Sequence, residues 1–164
     1  MAGTAERSRP NGRLEVRPLA PEDLERVDAA LPLHRLDQRD GLYLVAWDGD
    51  EPVGHAHLAL TEPPELQDVY VLPAHRRRGV GTELTRAAER EAAARGHDRL
   101  TLTVSATGDT ARRLYDRLGY VDVGVPPKRV KGTILIRGEP FEADDTLLHR
   151  EKRLAVDSAP PRSS

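Results

Sequence analysis

The chain has 164 residues, a length that suits one domain with a single hydrophobic core. Charged residues make up 32% of the sequence and the formal net charge is −2, which disfavours a dedicated nucleic-acid binder, a class that is usually basic. Cysteine is absent, so disulfides, thiolate metal ligands and a cysteine nucleophile are excluded, and a cytoplasmic location is expected.

Both ends of the chain are expected to be disordered tails. Residues 1–12 are polar, and residues 155–164 are rich in serine and proline, so neither segment buries enough apolar surface to offset the entropy of ordering. Residues 1–12 also lack the apolar stretch of a signal peptide, and no apolar run approaches the roughly 20 residues that cross a bilayer. We therefore expect a single domain over residues 13–154 with no membrane partner.

The first half of this domain is predicted to contain a strand, a helix and a hairpin. Residues 14–17 alternate as a short strand, and proline followed by acidic residues opens a helix over residues 21–30. The stretch 31–41 is compatible with a second short helix or with a loop. Apolar strands at 42–47 and 52–60 flank a glycine between two aspartates, which predicts a hairpin turn.

The second half alternates strands with helices. Residues 66–72 are predicted to form a strand and residues 79–95 a helix, followed by a strand at 100–105 and a helix at 109–118. The apolar stripe of the longer helix consists of Val80, Leu84, Ala87, Ala88 and Ala92. Alanines in that stripe would let the helix lie close to a sheet.

The last strands are expected at 121–125 and 146–152, separated by a long polar excursion at 126–145. Strands that alternate with helices, with hairpins at the front and the back, predict an α/β fold. Its central sheet is expected to be mixed, with about six to seven strands and flanking helices. A plain doubly wound sheet is not expected, because the hairpins require antiparallel pairs.

The segment from Arg76 to Gly81 joins a predicted strand to a predicted helix and has the composition of an anion-binding loop. The first N–H groups of a helix lack internal partners and lie at the positive end of the helix dipole. Gly79 and Gly81 let the backbone approach a ligand, and three arginines add charge and paired donors. The segment therefore predicts a cradle for phosphates.

The same loop resembles the signature of the GNAT superfamily of N-acetyltransferases, in which Gln or Arg is followed after two residues by Gly and, one residue later, by Gly or Ala. Arg76, Gly79 and Gly81 occupy these places, and the order of elements is similar to the family fold. The resemblance implies an enzyme that moves an acetyl group from acetyl-CoA to a primary amine. The cofactor-binding residues that it implies are Val69, Tyr70, Val71, Arg76, Arg77, Arg78, Gly79, Val80, Gly81, Thr82, Asp109, Arg112 and Tyr115.

Residues 111–120 resemble a second motif of the family, a helix that carries Ala, then Leu-Tyr, then Gly and an aromatic residue. The resemblance implies that Tyr115 donates a proton to the departing thiolate of coenzyme A, which suits a phenol that is protonated at neutral pH. A tyrosine on the apolar face of a helix is equally compatible with a core position. Where the family often has Asn to hold the pantetheine arm, this chain has Gly108, and Asp109 or Thr107 are the available substitutes.

The resemblance also implies how the reaction would run. Backbone groups of Val69 and Val71 would hold the pantetheine arm as an added strand does, and the acceptor amine would attack the thioester directly. A backbone N–H near Val71 would stabilise the developing oxyanion. Because an alkyl amine arrives protonated, a base is required. Glu65 is the first candidate for a catalytic base and Asp68 the second, on the opposite face if the strand is regular.

Three functions are compatible with these patterns. The first is an active N-acetyltransferase, and the second is a non-catalytic acyl-CoA-binding module, for which Gly108 leaves room. The third, a nucleic-acid or phosphoprotein binder, is disfavoured by the acidic balance and by the aromatic content of 4%. No metal is expected, because His55 and His57 share one face of a strand without a third ligand. The acceptor, a small-molecule or a protein or peptide amine, stays open, as does a homodimer through the final strands.

Overall fold

The computed structural model describes residues 14–155, which form one mixed sheet and three α-helices. The predicted tails, residues 1–12 and nearly all of 155–164, lie outside the described residues. The strands are β1 (Leu14–Pro18), β2 (Gly41–Asp48), β3 (Glu51–Ala59), β4 (Glu65–Val71), β5 (Arg99–Ser105), β6 (Val121–Asp122), β7 (Lys128–Ile136) and β8 (Glu139–Arg153). The helices are α1 (Leu24–Ala30), α2 (Val80–Ala94) and α3 (Asp109–Arg117), and the stretch 31–40 consists of turns and irregular chain.

The sheet has the order β1-β2-β3-β4-β5-β8-β6, and β7 also pairs with β8. β1 to β4 are antiparallel neighbours, whereas β4 and β5 run parallel because α2 makes the crossover between them. The mixed α/β architecture is therefore as predicted, and the described residues contain eight strands where about six to seven were expected.

Helix α2 covers one face of the sheet with the apolar stripe that the sequence predicts. Val80, Leu84, Ala87, Ala88 and Ala92 are all buried, and they pack with buried side chains of β2, β3, β4 and β5 in the larger core. The opposite face of the sheet holds a second core around Tyr43 and Trp47, which α1 and the following turn cover with Val27, Leu31 and Leu33. Both faces of the central strands are thus buried.

The prediction of a long polar excursion between the last strands was wrong. Residues 128–153 form a β-hairpin whose two-residue turn is Arg137-Gly138, with φ angles of 54° and 83°. Residues 128–145 resembled a polar loop because most of them are exposed, whereas the predicted strand at 146–152 lies within β8. Oppositely charged groups face each other across the pair, as in the contact of Arg129 with Asp144. Pairing to a partner strand, rather than an apolar face, specifies these strands.

The predicted strand at 121–125 is also shorter in the structure. Only Val121 and Asp122 pair with β8, opposite Glu151 and Arg150. β7 pairs along the same edge of β8 as β6 does, so β6 and β7 are two separate pieces of one edge of the sheet. The hairpin extends past the end of β5, whose Ser105 pairs with Leu147. Among residues 14–155, every helix is too short or too polar to cross a membrane.

Candidate functional site

The site is built where β4 separates from β5. β4 pairs with β3 from Glu65 to Val71, but it pairs with β5 only at Glu65 and Leu66. On its other edge, β5 pairs with β8 along its whole length. The segment Val69–Val71 therefore runs beside an opening in the sheet, where its backbone groups on the β5 side face away from any strand.

A β-bulge lies at the start of this opening. Gln67 stands opposite His57 and Tyr70 opposite His55, so Asp68 and Val69 together face a single residue of β3. Asp68 has a φ of 51°, a left-handed conformation that aspartate tolerates better than most residues. Because of the bulge, Leu66 and Val69 both pack in the larger core although they are three residues apart, which regular alternation does not predict.

The loop after β4 presents helix N–H groups to the first cavity. The first backbone bond of α2 runs from the N–H of Glu83 to the carbonyl of Gly79 at 3.0 Å, so the N–H groups of Val80, Gly81 and Thr82 precede it. Gly79 has a φ of 81°, which favours glycine at this helix start. These groups lie at the positive end of the α2 dipole and suit an anion.

The three loop arginines occupy different positions. Arg76 and Arg77 line the first cavity, and the Nε of Arg76 donates to the Val71 carbonyl at 2.8 Å. Arg78 instead directs its Nη2 to Oδ2 of the buried Asp48 at 3.4 Å and its Nη1 to Nδ1 of His75 at 2.7 Å. Arg78 is not among the residues that line the first cavity, and its contacts hold the loop against the β2–β3 turn.

The first cavity has a volume of about 660 Å³ and lies between the loop, β4 and α3. Most of the cofactor-binding residues predicted from the sequence line it: Val69, Tyr70, Val71, Arg76, Arg77, Gly79, Val80, Gly81, Thr82 and Tyr115. Arg78, Asp109 and Arg112 do not. Asp109 and Arg112 form an ion pair with each other at 2.6 Å on another face of α3.

Helix α3 contributes residues that the sequence argument missed. Thr110, Arg113, Leu114 and Arg117 line the first cavity together with Ala111. The spacing i, i+3, i+4, i+7 places Thr110, Arg113, Leu114 and Arg117 on one helix face. Periodicity counted from Leu114 selects Thr110 and Arg117, and Arg113 lies three residues after Thr110. α3 also lies close to α2, because a Cβ built on Gly81 would be 3.5 Å from Leu114 Cδ2. Two arginines therefore face the loop across the cavity.

Tyr115 lines the cavity and is also packed in the larger core. Its side chain is 7% exposed and its ring meets that of Tyr120 edge to face, with 5.7 Å between the ring centroids. Burial raises the pKa of Tyr115 to about 12, and the hydroxyl of Thr85 lowers it in part. A raised pKa keeps the phenol protonated through the neutral range, so Tyr115 has the protonation state of a proton donor.

A second cavity of about 360 Å³ lies on the other side of the bulge. Its lining comes from the turn after α1, from Asp68 and from the tip of the β7–β8 hairpin: His34, Arg35, Asp37, Gln38, Asp68, Ile134, Leu135 and Ile136. Nε of Arg35 lies 2.6 Å from Oδ2 of Asp68, and the Arg35 backbone N–H donates to the Tyr43 hydroxyl at 2.7 Å. Asp68 directly precedes Val69, so consecutive residues of the bulge line the two cavities.

Glu65 lies outside the lining of both cavities. It pairs with β3 and with β5 at the closed end of the opening, and its Oε1 accepts from the Gln67 amide at 3.2 Å. Gln67 in turn contacts Nδ1 of His57 at 2.9 Å. Burial lowers the pKa of His57 and lowers that of His55 to about 4, so both imidazoles are neutral at neutral pH. Within residues 14–155, no group of three or more His, Cys, Asp or Glu side chains is arranged to hold a metal ion.

The chemistry of the first cavity fits a long ligand that carries phosphate at one end. Free helix N–H groups and arginines supply donors at the loop, and unpaired strand backbone lines the opening in the sheet. Tyr115 borders the same cavity from α3, and its hydroxyl contacts the hydroxyl of Thr85 in α2.

Comparisons with known proteins agree with this geometry. The sequence profile described as the Acetyltransferase (GNAT) family matches residues 12–120. Mycothiol acetyltransferase of Corynebacterium glutamicum (strain R) is 36% identical over 97 residues, which cover 53% of this chain and 33% of that protein. The chain thus spans about a third of the length of that relative.

Two further proteins are similar over more of their length. The uncharacterized N-acetyltransferase YsnE of Bacillus subtilis (strain 168) is 31% identical over 111 residues, which cover 62% of this chain and 74% of that protein. The crystal structure of a GNAT family acetyltransferase from Elizabethkingia anophelis with acetyl-CoA bound superimposes with a TM-score of 0.64. Its sequence identity is 16%, and the match covers 86% of this chain and 98% of that one, so this likeness concerns the fold.

Proposed function

Since this chain belongs to the GNAT family of acetyltransferases, we propose that it transfers an acetyl group from acetyl-CoA to the amine of an acceptor. The two substrates would bind together, and the amine would attack without a covalent acyl-enzyme, which agrees with the absence of cysteine. One observation carries the proposal: the N–H groups of the α2 start, two loop arginines, the opened β4 and Tyr115 all border one cavity.

Different residues of this cavity would bind different parts of the donor, acetyl-CoA. Acetyl-CoA supplies an activated thioester when it is bound. The N–H groups of Val80, Gly81 and Thr82, with Arg76 and Arg77, would hold its pyrophosphate. Arg113 and Arg117 offer guanidinium groups to the remaining phosphate from the opposite wall. Backbone groups of Val69–Val71 would hold the extended arm at the opening in the sheet.

The two proton transfers of the reaction are assigned to Asp68 and Tyr115. The acceptor would enter the second cavity, where Asp68 binds its ammonium group and takes the proton directly or through water. Tyr115 holds a proton through the neutral range and would give it to the departing sulfur. Asp68 is preferred to Glu65 as the base because it borders the second cavity beside Val69, whereas Glu65 lies at the closed end of the opening.

The proposal is tested by binding first and turnover second. Acetyl-CoA is expected to raise the thermal unfolding midpoint, because a ligand that binds only the folded state stabilises it. Free thiol is then measured while acetyl-CoA is incubated with a panel of amines. The chain has no cysteine, so every thiol detected comes from coenzyme A. No shift of the unfolding midpoint by acetyl-CoA would refute both catalysis and acyl-CoA binding.

A non-catalytic acyl-CoA-binding module is the second candidate, and two observations favour it. Gly108 leaves the start of α3 without a side chain to hold the pantetheine arm, although a Cβ there would meet its nearest atoms at an ordinary 3.5 Å. Tyr115 also has the burial of a core residue. Stabilisation by acetyl-CoA without thiol release over a broad panel of amines would support this module.

Asp68→Asn tests the preferred base. We expect kcat/KM for the acceptor to fall by about 100-fold, the lower end of the usual contribution of a general base, with little change in the thermal shift caused by acetyl-CoA. Asparagine tolerates the positive φ of this position, so the backbone should persist. Glu65→Gln is measured in parallel, and a larger loss in that variant would assign the base to Glu65.

A further inference from the structure

The second cavity indicates what kind of amine the acceptor is, a point that the proposed function leaves open. It is enclosed on one side by the turn after α1 and on the other by the tip of the β7–β8 hairpin. Arg137 at that tip contacts both carboxylate oxygens of Asp28 in α1, at 2.8 and 3.0 Å. Its Nη1 also lies 3.4 Å from the Leu33 carbonyl. These contacts hold the tip of the hairpin against α1 and the turn that follows it.

The volume of this cavity favours a small molecule. At about 360 Å³ it lies near the lower end of the range of small-molecule sites, roughly 300 to 1,000 Å³. A protein terminus would need an open groove for the residues that follow its amine. The contact of Arg137 with Asp28 ties the hairpin tip, which lines this cavity, to α1.

The charges in this cavity favour a cation. Its lining carries the carboxylates of Asp37 and Asp68 and a single guanidinium, that of Arg35. Arg35 is already paired with Asp68 at 2.6 Å, and both side chains stay partly exposed, so the pair can admit a third charged group. One carboxylate in excess attracts an ammonium group and repels a carboxylate.

The wall formed by β7 is apolar. Ile134 and Ile136 are two residues apart and project from the same face of the strand, and both line the cavity. Ile134 is 43% exposed. A bound hydrocarbon group would remove this apolar surface from water, which is the main favourable contribution in most small-molecule sites.

From this combination we infer that the acceptor is a small primary amine that carries an apolar group. Its nitrogen lies at Asp68 and its hydrocarbon part packs on Ile134 and Ile136. The inference rests on the proposed function. In the transfer, the N–C bond to the acetyl carbon forms and the C–S bond breaks. One ammonium proton passes to Asp68 or water and sulfur receives the proton of Tyr115. The second proton that nitrogen loses then restores the Tyr115 phenol through water.

The test compares three amine probes at saturating acetyl-CoA: 2-phenylethylamine, spermidine and a hexapeptide with a free amino-terminal alanine. We expect kcat/KM for 2-phenylethylamine to exceed that of the other two by at least about tenfold, the factor that burial of a few methylene groups supplies. A preference for spermidine or for the peptide would overturn the inference and leave the proposed function standing. Turnover of none of these probes, nor of any amine in the wider panel, would overturn both.

Variants of the apolar wall provide the second arm. Ile134→Ser and Ile136→Ser are each expected to raise KM for 2-phenylethylamine by about tenfold, with kcat and the thermal shift by acetyl-CoA nearly unchanged. Val121→Ser is the matched control, because Val121 is 60% exposed on β6, outside this cavity. Equal KM values in all three variants and the parent protein would overturn the placement of the hydrocarbon group.

Discussion

Replacing Gly81 with glutamate is expected to abolish acetyl-CoA binding and to leave the fold intact. Gly81 lies in the first turn of α2, and its N–H precedes the first helix hydrogen bond. A carboxylate at this point would occupy the place of the pyrophosphate and neutralise Arg76 or Arg77. Because juxtaposed like charges cost several kcal/mol, we expect the Kd for acetyl-CoA to rise by at least about 100-fold in calorimetric titration.

The fold should tolerate this change for two reasons. A Cβ at Gly81 would meet only Leu114 Cδ2, at the ordinary distance of 3.5 Å. A negative charge in the first turn of a helix is also favourable to its dipole. Gly81→Gln is the matched control, since it adds the same bulk without the charge and should bind acetyl-CoA more tightly than the glutamate variant. Wild-type affinity in Gly81→Glu would show that the phosphates bind elsewhere.

The second large effect is expected at Tyr115. Tyr115→Phe keeps the ring that packs on Tyr120 and removes only the hydroxyl, so kcat should fall by about 100-fold or more while the Kd for acetyl-CoA changes little. Rapid-mixing measurements of thiol release would separate the chemical step from product release. An unchanged rate would assign Tyr115 to the core alone.

The pH dependence gives a further check on Tyr115. Burial raises its pKa to about 12, so the proton needed by the leaving group is present below that pH and is lost only above it. The wild-type rate should therefore not fall between pH 8 and 10 through loss of the Tyr115 proton. The pH profiles of the wild-type enzyme and of Tyr115→Phe should have the same shape over that range. Tyr120→Phe serves as the matched control, because Tyr120 donates its hydroxyl to Glu89 at 2.8 Å and does not line the cavity. Its kcat should stay near the wild-type value.

The hairpin and the bulge mark where sequence reasoning failed. Residues 128–145 are mostly exposed and were predicted as a polar excursion, and the pairing of β7 with β8 specifies them. The predicted strand at 146–152 lies within β8, where it also pairs with β5. The bulge at Asp68 breaks the alternation of β4, which is why facing directions counted from Glu65 do not carry through it. Arg78 turns toward Asp48, a residue 30 positions earlier, and no local pattern encodes that contact.

Local periodicity determined much of the rest. The stripe from Val80 to Ala92 predicted which face of α2 is buried. The sequence also predicted the strand, the glycine loop and the helix start around Arg76–Gly81, which line a cavity, because each depends on neighbouring residues and on helix geometry. Phosphate binding at this loop stays a prediction. Only the tertiary structure decided the separation of β4 from β5 and the second cavity. These features join segments about 30 to 100 residues apart, and such contacts are fixed by packing and charge pairing over the whole sheet.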